Sequence, residues 1–258
     1  MDEPTHETVL NEWGRLASIL RPDLSGQARI DGSWIGKVTL SLPGETWPTC
    51  EQRPLAPIFQ LRLDEAPFVP DSLKDIACVT FFAECAGEEL DPEFALPGGA
   101  EAKLDELDPE QAGWCLRAYK DVASLVEIEQ AQVAWPFKSA PGSWTHVELD
   151  PPSGFEFGED EVPESVAVAF EESKLKGVRL GGWPSIIQDQ LPWGPRQPPL
   201  PDWEGRPIAW KPPAFLPEYA FELTWIQELD LSFGDVGSVY FGRGKADPDW
   251  WIVARQSF

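Results

Sequence analysis

The chain is short of the side chains on which common enzyme chemistry depends. Among its 258 residues there are only two histidines, His6 and His146. His6 lies beside a polar N-terminal stretch, and His146 falls in the run Ser143-Trp144-Thr145-His146-Val147, which reads as a surface or strand position. There is no Gly-x-Ser-x-Gly elbow, no Gly-x-x-x-x-Gly-Lys-Ser/Thr phosphate loop and no Gly-x-Gly-x-x-Gly turn. The common hydrolases and nucleotide enzymes are therefore disfavoured. The four cysteines, Cys50, Cys78, Cys85 and Cys115, contain no Cys-x-x-Cys pair and match no zinc or redox spacing, so free and mostly buried thiols are expected. Basic residues are scarce as well, with Lys+Arg 20 against Asp+Glu 44 and a formal net charge of −24. Such a field repels phosphate backbones, excludes direct nucleic-acid binding, and attracts basic partners while also keeping the chain soluble. The start Met1-Asp2-Glu3-Pro4 lacks the basic and apolar stretches of a signal peptide, and no run approaches the ~20 apolar residues of a membrane span, so a cytoplasmic protein is expected.

What the chain does contain is a core-forming composition, 42% hydrophobic and 12% aromatic, and a pattern stated twice. Near the N-terminus, Trp47-Pro48 leads through Pro54 to the alternating run Ile58-Phe59-Gln60-Leu61-Arg62-Leu63-Asp64-Glu65 and then to Cys78-Val79-Thr80-Phe81-Phe82. Further on, Gly181-Gly182-Trp183-Pro184 leads to Phe221-Glu222-Leu223-Thr224-Trp225-Ile226 and then to Gly237-Ser238-Val239-Tyr240-Phe241. The expectation is a single β-rich domain over 1–258 built from half-repeats at about 31–130 and 175–258. A Pro/Trp-rich insertion at 191–217 interrupts the second half; its prolines exclude a central strand or helix.

Local signals fill in the rest. Thr5 can cap a helix over 6–20 that gathers Val9, Leu10, Trp13, Leu16, Ala17 and Leu20 on one side. Short alternating strands are expected from Trp34 onward, and the acidic stretch Glu84 to Glu110 reads as a solvated loop. Asp108-Pro109-Glu110-Gln111 is a helix start, from which Trp114, Leu116, Ala118, Tyr119 and Val122 would pack inward. Between Lys138 and Lys174 no Lys or Arg occurs while Glu148, Asp150 and further acids accumulate as a second acidic patch. Glu228, Asp230 and Asp235 depart from calcium-loop spacing, and no metal or cofactor is expected. Paired carboxylates are too abundant for any pair to single out a catalytic site. Asp247-Pro248-Asp249 reads as a turn into the strand Trp251-Ile252-Val253-Ala254. Trp47 and Trp183, each beside a proline, read as packing residues. Trp193, Trp203 and Trp210 of the insertion are the better candidates for exposed anchors.

Several of these residues together resemble the YwqG-like family, a bacterial domain without an assigned activity. The resemblance lies in Trp47-Pro48-Thr49-Cys50, Pro54-Leu55, Phe59-Gln60-Leu61 with Leu63, and Phe81-Phe82 in the first half. In the second half it lies in Gly181-Gly182-Trp183-Pro184 with Gln188, and in Phe233-Gly234-Asp235 with Gly237, Tyr240 and Phe241. The chain departs from the family at Phe221-Glu222-Leu223-Thr224-Trp225, where a glutamine is usual, and in keeping only Gly36 where the first half usually has two glycines. The resemblance implies an α+β, β-rich fold of pseudo-two-fold duplicated antiparallel sheets with peripheral helices, and no agreed catalytic residues. Members of that family are often encoded beside secreted toxins and several are taken to act as immunity proteins. The resemblance thus implies a protein-neutralising role, and together with the charge of −24 the expectation is a non-enzymatic, antitoxin-like protein that occludes a cognate basic toxin, a nuclease foremost. Carboxylates at Glu88, Glu89, Asp91, Glu93, Asp105, Glu106 and Asp108, or at Glu156, Glu159, Asp160 and Glu161, would meet the toxin's Lys and Arg. Trp203 and Trp210 would be the hydrophobic anchors. The alternative is a small-molecule or carbohydrate binding protein, or an enzyme, with a cleft between the repeats near Trp183, Gln188, Trp225, Glu222, Glu228 and Asp235.

Overall fold

In a computed structural model, residues 7, 10–11, 14–86, 93–94, 100–151, 176–185, 187, 217–244 and 247–257 are described. The first half of the chain supplies β1 (Arg15–Pro22), β2 (Trp34–Ile35), β3 (Leu40–Ser41), β4 (Thr49–Cys50), β5 (Arg53–Pro54), β6 (Ala56–Arg62), β7 (Cys78–Ala83), β8 (Cys85–Ala86), β9 (Glu93–Phe94), β10 (Ala100–Lys103), β11 (Trp114–Tyr119) and β12 (Val126–Glu127). The second half supplies β13 (Ala140–Asp150), β14 (Val178–Gly181), β15 (Pro217–Thr224), β16 (Ser238–Gly244) and β17 (Trp250–Gln256). One short α-helix, α1 (Pro109–Ala112), lies between β10 and β11. The protein is β-rich, and among the described residues no helix is long and apolar enough to cross a membrane.

Three local expectations are corrected. Glu7, Leu10 and Asn11 are helical, but the helix expected over 6–20 does not continue. Gly14 closes it with a backbone bond to the Leu10 carbonyl, and from Arg15 the chain is strand β1. Leu16, Ala17 and Leu20 fit a helical stripe equally well, but β1 pairs along both edges, with β13 and β14, and those ladders override helical periodicity. The second correction follows Asp108. Its side chain accepts from Glu110 N as an N-cap and Pro109 opens the helix as expected. Gly113 then adopts φ 71° and ends the helix after one turn. Trp114 to Tyr119 are strand β11 rather than helix, which explains why their spacing forms no clean stripe. The acidic stretch from Glu84 is likewise not all loop, since β10 joins the sheet against β17.

Among the described residues, eleven strands form one antiparallel sheet in the order β10-β17-β16-β15-β14-β1-β13-β2-β6-β7-β11. The pair β1–β13 is central. On the β1 side lie β14 to β17 in chain order with β10 at the edge, and on the β13 side lie β2, β6, β7 and β11. Cross-strand registers run in parallel in the two wings. Ile35, Phe59, Phe81 and Leu116 stand in one row, and Leu180, Phe221, Phe241 and Val253 in another. All eight belong to one buried core. The sheet curls so that these rows meet. Phe81 stands edge-on to Phe241 at 4.9 Å between ring centres, Phe59 edge-on to Phe221 at 5.8 Å, and Phe221 is stacked on Phe241 at 4.4 Å. A strand alternates faces, so the next residues along, Gln60 and Glu222, point away from this core.

Candidate functional site

Gln60 and Glu222 are fully buried all the same, because a loop folds over each. Gln60 Oε1 accepts from the backbone N–H groups of Thr39 and Leu40, each at 2.9 Å, and its Nε2 donates to the Gly32 carbonyl at 2.7 Å. Glu222 accepts from Ser185 N and Ser185 Oγ, both at 2.7 Å, and from Arg179 Nε at 3.2 Å. Arg179 also donates to Asp150, whose other oxygen accepts from Trp183 N at 2.7 Å. Asp150, Arg179 and Glu222 are all buried, so Asp150 leaves the acidic surface patch expected around it and becomes the counter-charge of Arg179. The loop they hold runs through Gly181 and Gly182, both at φ 65°. A Cβ on Gly182 would stand 2.3 Å from Asp150 Oδ2, so only glycine admits this approach. Above the loop, the Arg15 guanidinium stacks on the buried Trp183 ring at 3.3 Å from its centre. Every polar group named here has a partner, and the cluster clamps the loop onto the sheet.

The cleft expected near Trp183 is thus only partly assembled. Trp183 and Glu222 come together, but Glu228 and Asp235 are exposed on the β15–β16 connection. Trp225 is occupied by the Lys176 ammonium at 3.7 Å, and Gln188 lies outside the described residues. Asp230 pairs with Lys138 at 2.7 Å. Among the described residues no three His, Cys, Asp or Glu side chains gather as a metal site. Trp47 and Trp183 do pack: Trp47 Nε1 donates to the Leu55 carbonyl at 2.8 Å and its ring meets Phe82 edge-on.

Of the carboxylates proposed from the sequence, Asp105, Glu106 and Asp108 are brought together and exposed. The chain leaves β10 at Lys103, turns with Glu106 N bonded to the Lys103 carbonyl at 3.0 Å, and enters α1 through the Asp108 cap. Glu106, Leu107, Asp108 and Gln111 then face Trp250 of β17 across an open cleft of about 500 Å³. Lys103, the cation at this cleft, is paired with Asp247 at 3.4 Å, and that bond holds its ammonium above the usual lysine range. The α1 turn is anchored from below, where Glu110 accepts from the Thr49 hydroxyl; this hydrogen bond draws its carboxyl below the usual range. Glu93 falls in β9, whereas Glu88, Glu89, Asp91, Glu156, Glu159, Asp160, Glu161, Trp203 and Trp210, with the 191–217 insertion, lie outside the described residues.

Trp250 was missed as a wall of the site. Adjacent tryptophans in a strand must face opposite sides, so Trp250-Trp251 signalled one outward indole; Trp251 is the buried one. Comparison with known protein families and with curated proteins gave no match.

Proposed function

We propose that the protein is an immunity protein, antitoxin-like in action, that binds a cognate basic toxin in the cytoplasm and occludes it by contact, without catalysis. The observation that carries this reading is the acidic cleft. Glu106 and Asp108 rim it and Asp105 adjoins it, Leu107 and Trp250 give it apolar contact, and its own lysine is paired internally. Such a surface accepts an Arg or Lys whose stem lies on the indole while its head meets the carboxylates. A nuclease is the fitting toxin, because it needs a cationic cleft for phosphate and an acidic surface can fill that cleft. The net charge of −24 adds steering of any basic partner.

The same reading takes the fold as a duplication, as the resemblance to YwqG-like proteins implies. Supporting it are the matching four-residue rows in the two wings and the like placement of Gln60 and Glu222. The deciding experiment is co-expression with the products of neighbouring genes followed by co-purification. A stable complex with a toxic, basic neighbour supports the immunity role; if no neighbour binds and none is toxic, the role is withdrawn.

A further inference from the structure

Strand β13 runs for 11 residues, from Ala140 to Asp150, yet it is paired on both sides only at its start. β2 meets it at Ala140 and Pro141 alone, and Gly142 N adds one bond to the Ser33 carbonyl at 2.8 Å. β1 accompanies it as far as Asp150. From Ser143 onward, one side of β13 therefore meets no strand among the described residues. Two bonds fix which backbone groups face that side. The Pro141 carbonyl accepts from Asp23 N on the β1 side at 2.8 Å, whereas Gly142 N points the other way. Successive residues of an antiparallel strand alternate in this respect, so Trp144 and His146 turn both N–H and C=O to the open side. Among the described residues, these four groups make no backbone hydrogen bond.

An unpaired edge recruits strands from other chains, and proteins blunt such edges with proline, lysine or a bulge. β13 has these devices only at its ends. Pro141 precedes the open stretch, and a bulge follows it, where Leu16 of β1 alone stands opposite Glu148 and Leu149. Between them, Ser143-Trp144-Thr145-His146-Val147 contains no proline, lysine, arginine or carboxylate, and Ser143, Thr145 and His146 are exposed. In a chain of net charge −24, this neutral stretch gives a basic strand nothing to pair with, but it lets a second copy approach. Antiparallel pairing of the stretch with itself about Thr145 sets Thr145 against Thr145, Trp144 against His146 and Ser143 against Val147. The outward N–H and C=O groups of Trp144 and His146 then satisfy one another. Thr–Thr and aromatic pairs are favourable across strands. The Glu148 carboxylates of the two copies stand about 20 Å apart along the strands in this register, well beyond the Debye length of about 8 Å.

We propose that the protein forms a symmetric dimer by antiparallel pairing of residues 143–147 with the same stretch of a second copy. So short an edge is a small interface, and the dimer is correspondingly weak, with a Kd on the order of 10–100 μM. The inference does not rest on the toxin reading and is tested on this chain alone. Sedimentation equilibrium from about 1 μM to about 1 mM should show a monomer–dimer equilibrium. Because both copies are acidic, added salt should tighten the dimer, the reverse of its effect on a toxin complex. Thr145→Lys sets two ammonium groups face to face at the symmetry axis and should weaken the dimer about tenfold, as should Thr145→Glu with two carboxylates. An equimolar mixture of the two variants should recover the dimer, since residue 145 then meets its opposite charge. His146→Pro removes an N–H from the open side without touching the β1 ladder and should also be monomeric. If that variant does not fold, the Lys and Glu variants decide, at a position already exposed. The proposal is overturned if the wild type is monomeric throughout, if Thr145→Lys dimerises as well as the wild type, or if the mixture forms no more dimer than its components.

Discussion

Gln60 and Glu222 occupy the same register in two different strands, opposite Thr80 and Tyr240, and each is a fully buried side chain that holds a covering loop. One does so with a neutral amide, backbone groups and the Thr39 hydroxyl; the other does so within a buried cluster of Asp150, Arg179 and Glu222. The charged version has the sharper failure mode. Arg179→Met strands two carboxylates in the interior and should lower stability by about 3–5 kcal/mol. Glu222→Gln leaves Arg179 its Asp150 partner and should cost less. Urea unfolding at unchanged slope orders the two, and a larger loss for Glu222→Gln would refute this account of the clamp.

Where the wings meet, Phe241 touches Phe59, Phe81 and Phe221. Phe241→Ala should cost about 3–5 kcal/mol through the cavity it leaves. A double-mutant cycle with Phe81 should give a coupling of about 0.5–1.5 kcal/mol. No coupling would mean that the two wings are not packed ring against ring.

Much of this packing was legible in the sequence. Phe59-Gln60-Leu61 and Phe221-Glu222-Leu223 are short alternating runs between turn residues, and both are strands whose phenylalanines face the core. Arg15 to Pro22 was not legible, because Leu16, Ala17 and Leu20 satisfy both periods and only pairing on two edges selects the strand. At the candidate site, charge alone located Asp105, Glu106 and Asp108. It could not withdraw Asp150 from the surface, since a buried acid is distinguished only by its partner, and Arg179 is 29 residues away. Nor could it choose between Trp250 and Trp251 as the outward indole.

Asp75 accepts from Arg243, with Nη2 at 2.9 Å, and this bond holds its carboxyl below the usual range. A depressed folded pKa adds stability above the unfolded value of about 3.9 and loses it as pH falls through the folded value. Asp75→Asn should therefore be less stable than the wild type at neutral pH, with the gap closing in acid. Thermal melts from pH 7 down to 3 test this, and a gap that widens in acid would contradict it.

Burial pushes the Cys78 thiol up to about 12 and the Cys85 thiol to about 11, and it also raises Cys50 and Cys115. The three buried thiols, Cys50, Cys78 and Cys115, should react slowly with a thiol reagent at pH 8 in the folded protein and rapidly in urea. Raised thiol pKa values also predict falling stability above about pH 8.5, where the unfolded chain ionises first. Rapid labelling of folded protein would show that these sulfurs are not enclosed.

For the proposed toxin complex, Asp105→Lys with Glu106→Lys should slow association and flatten its dependence on salt, with little change in folding. Asp108→Asn keeps the helix cap while removing a charge, and should add a smaller effect in the same direction. Stopped-flow association at several salt concentrations measures both, and unchanged rates would remove the cleft from the interface.

The place of β1 bears on how the chain is made. Ile19 lies between Thr145 on one side and Arg179 on the other, so β1, the first strand among the described residues, waits in the middle of the sheet for partners translated much later. Until Ala140 to Asp150 have emerged both its edges stay open, and the second stays open until Val178 to Gly181 follow. Folding should therefore be slow and largely post-translational, and ribosome-bound fragments ending before β14 should be the species that chaperones hold.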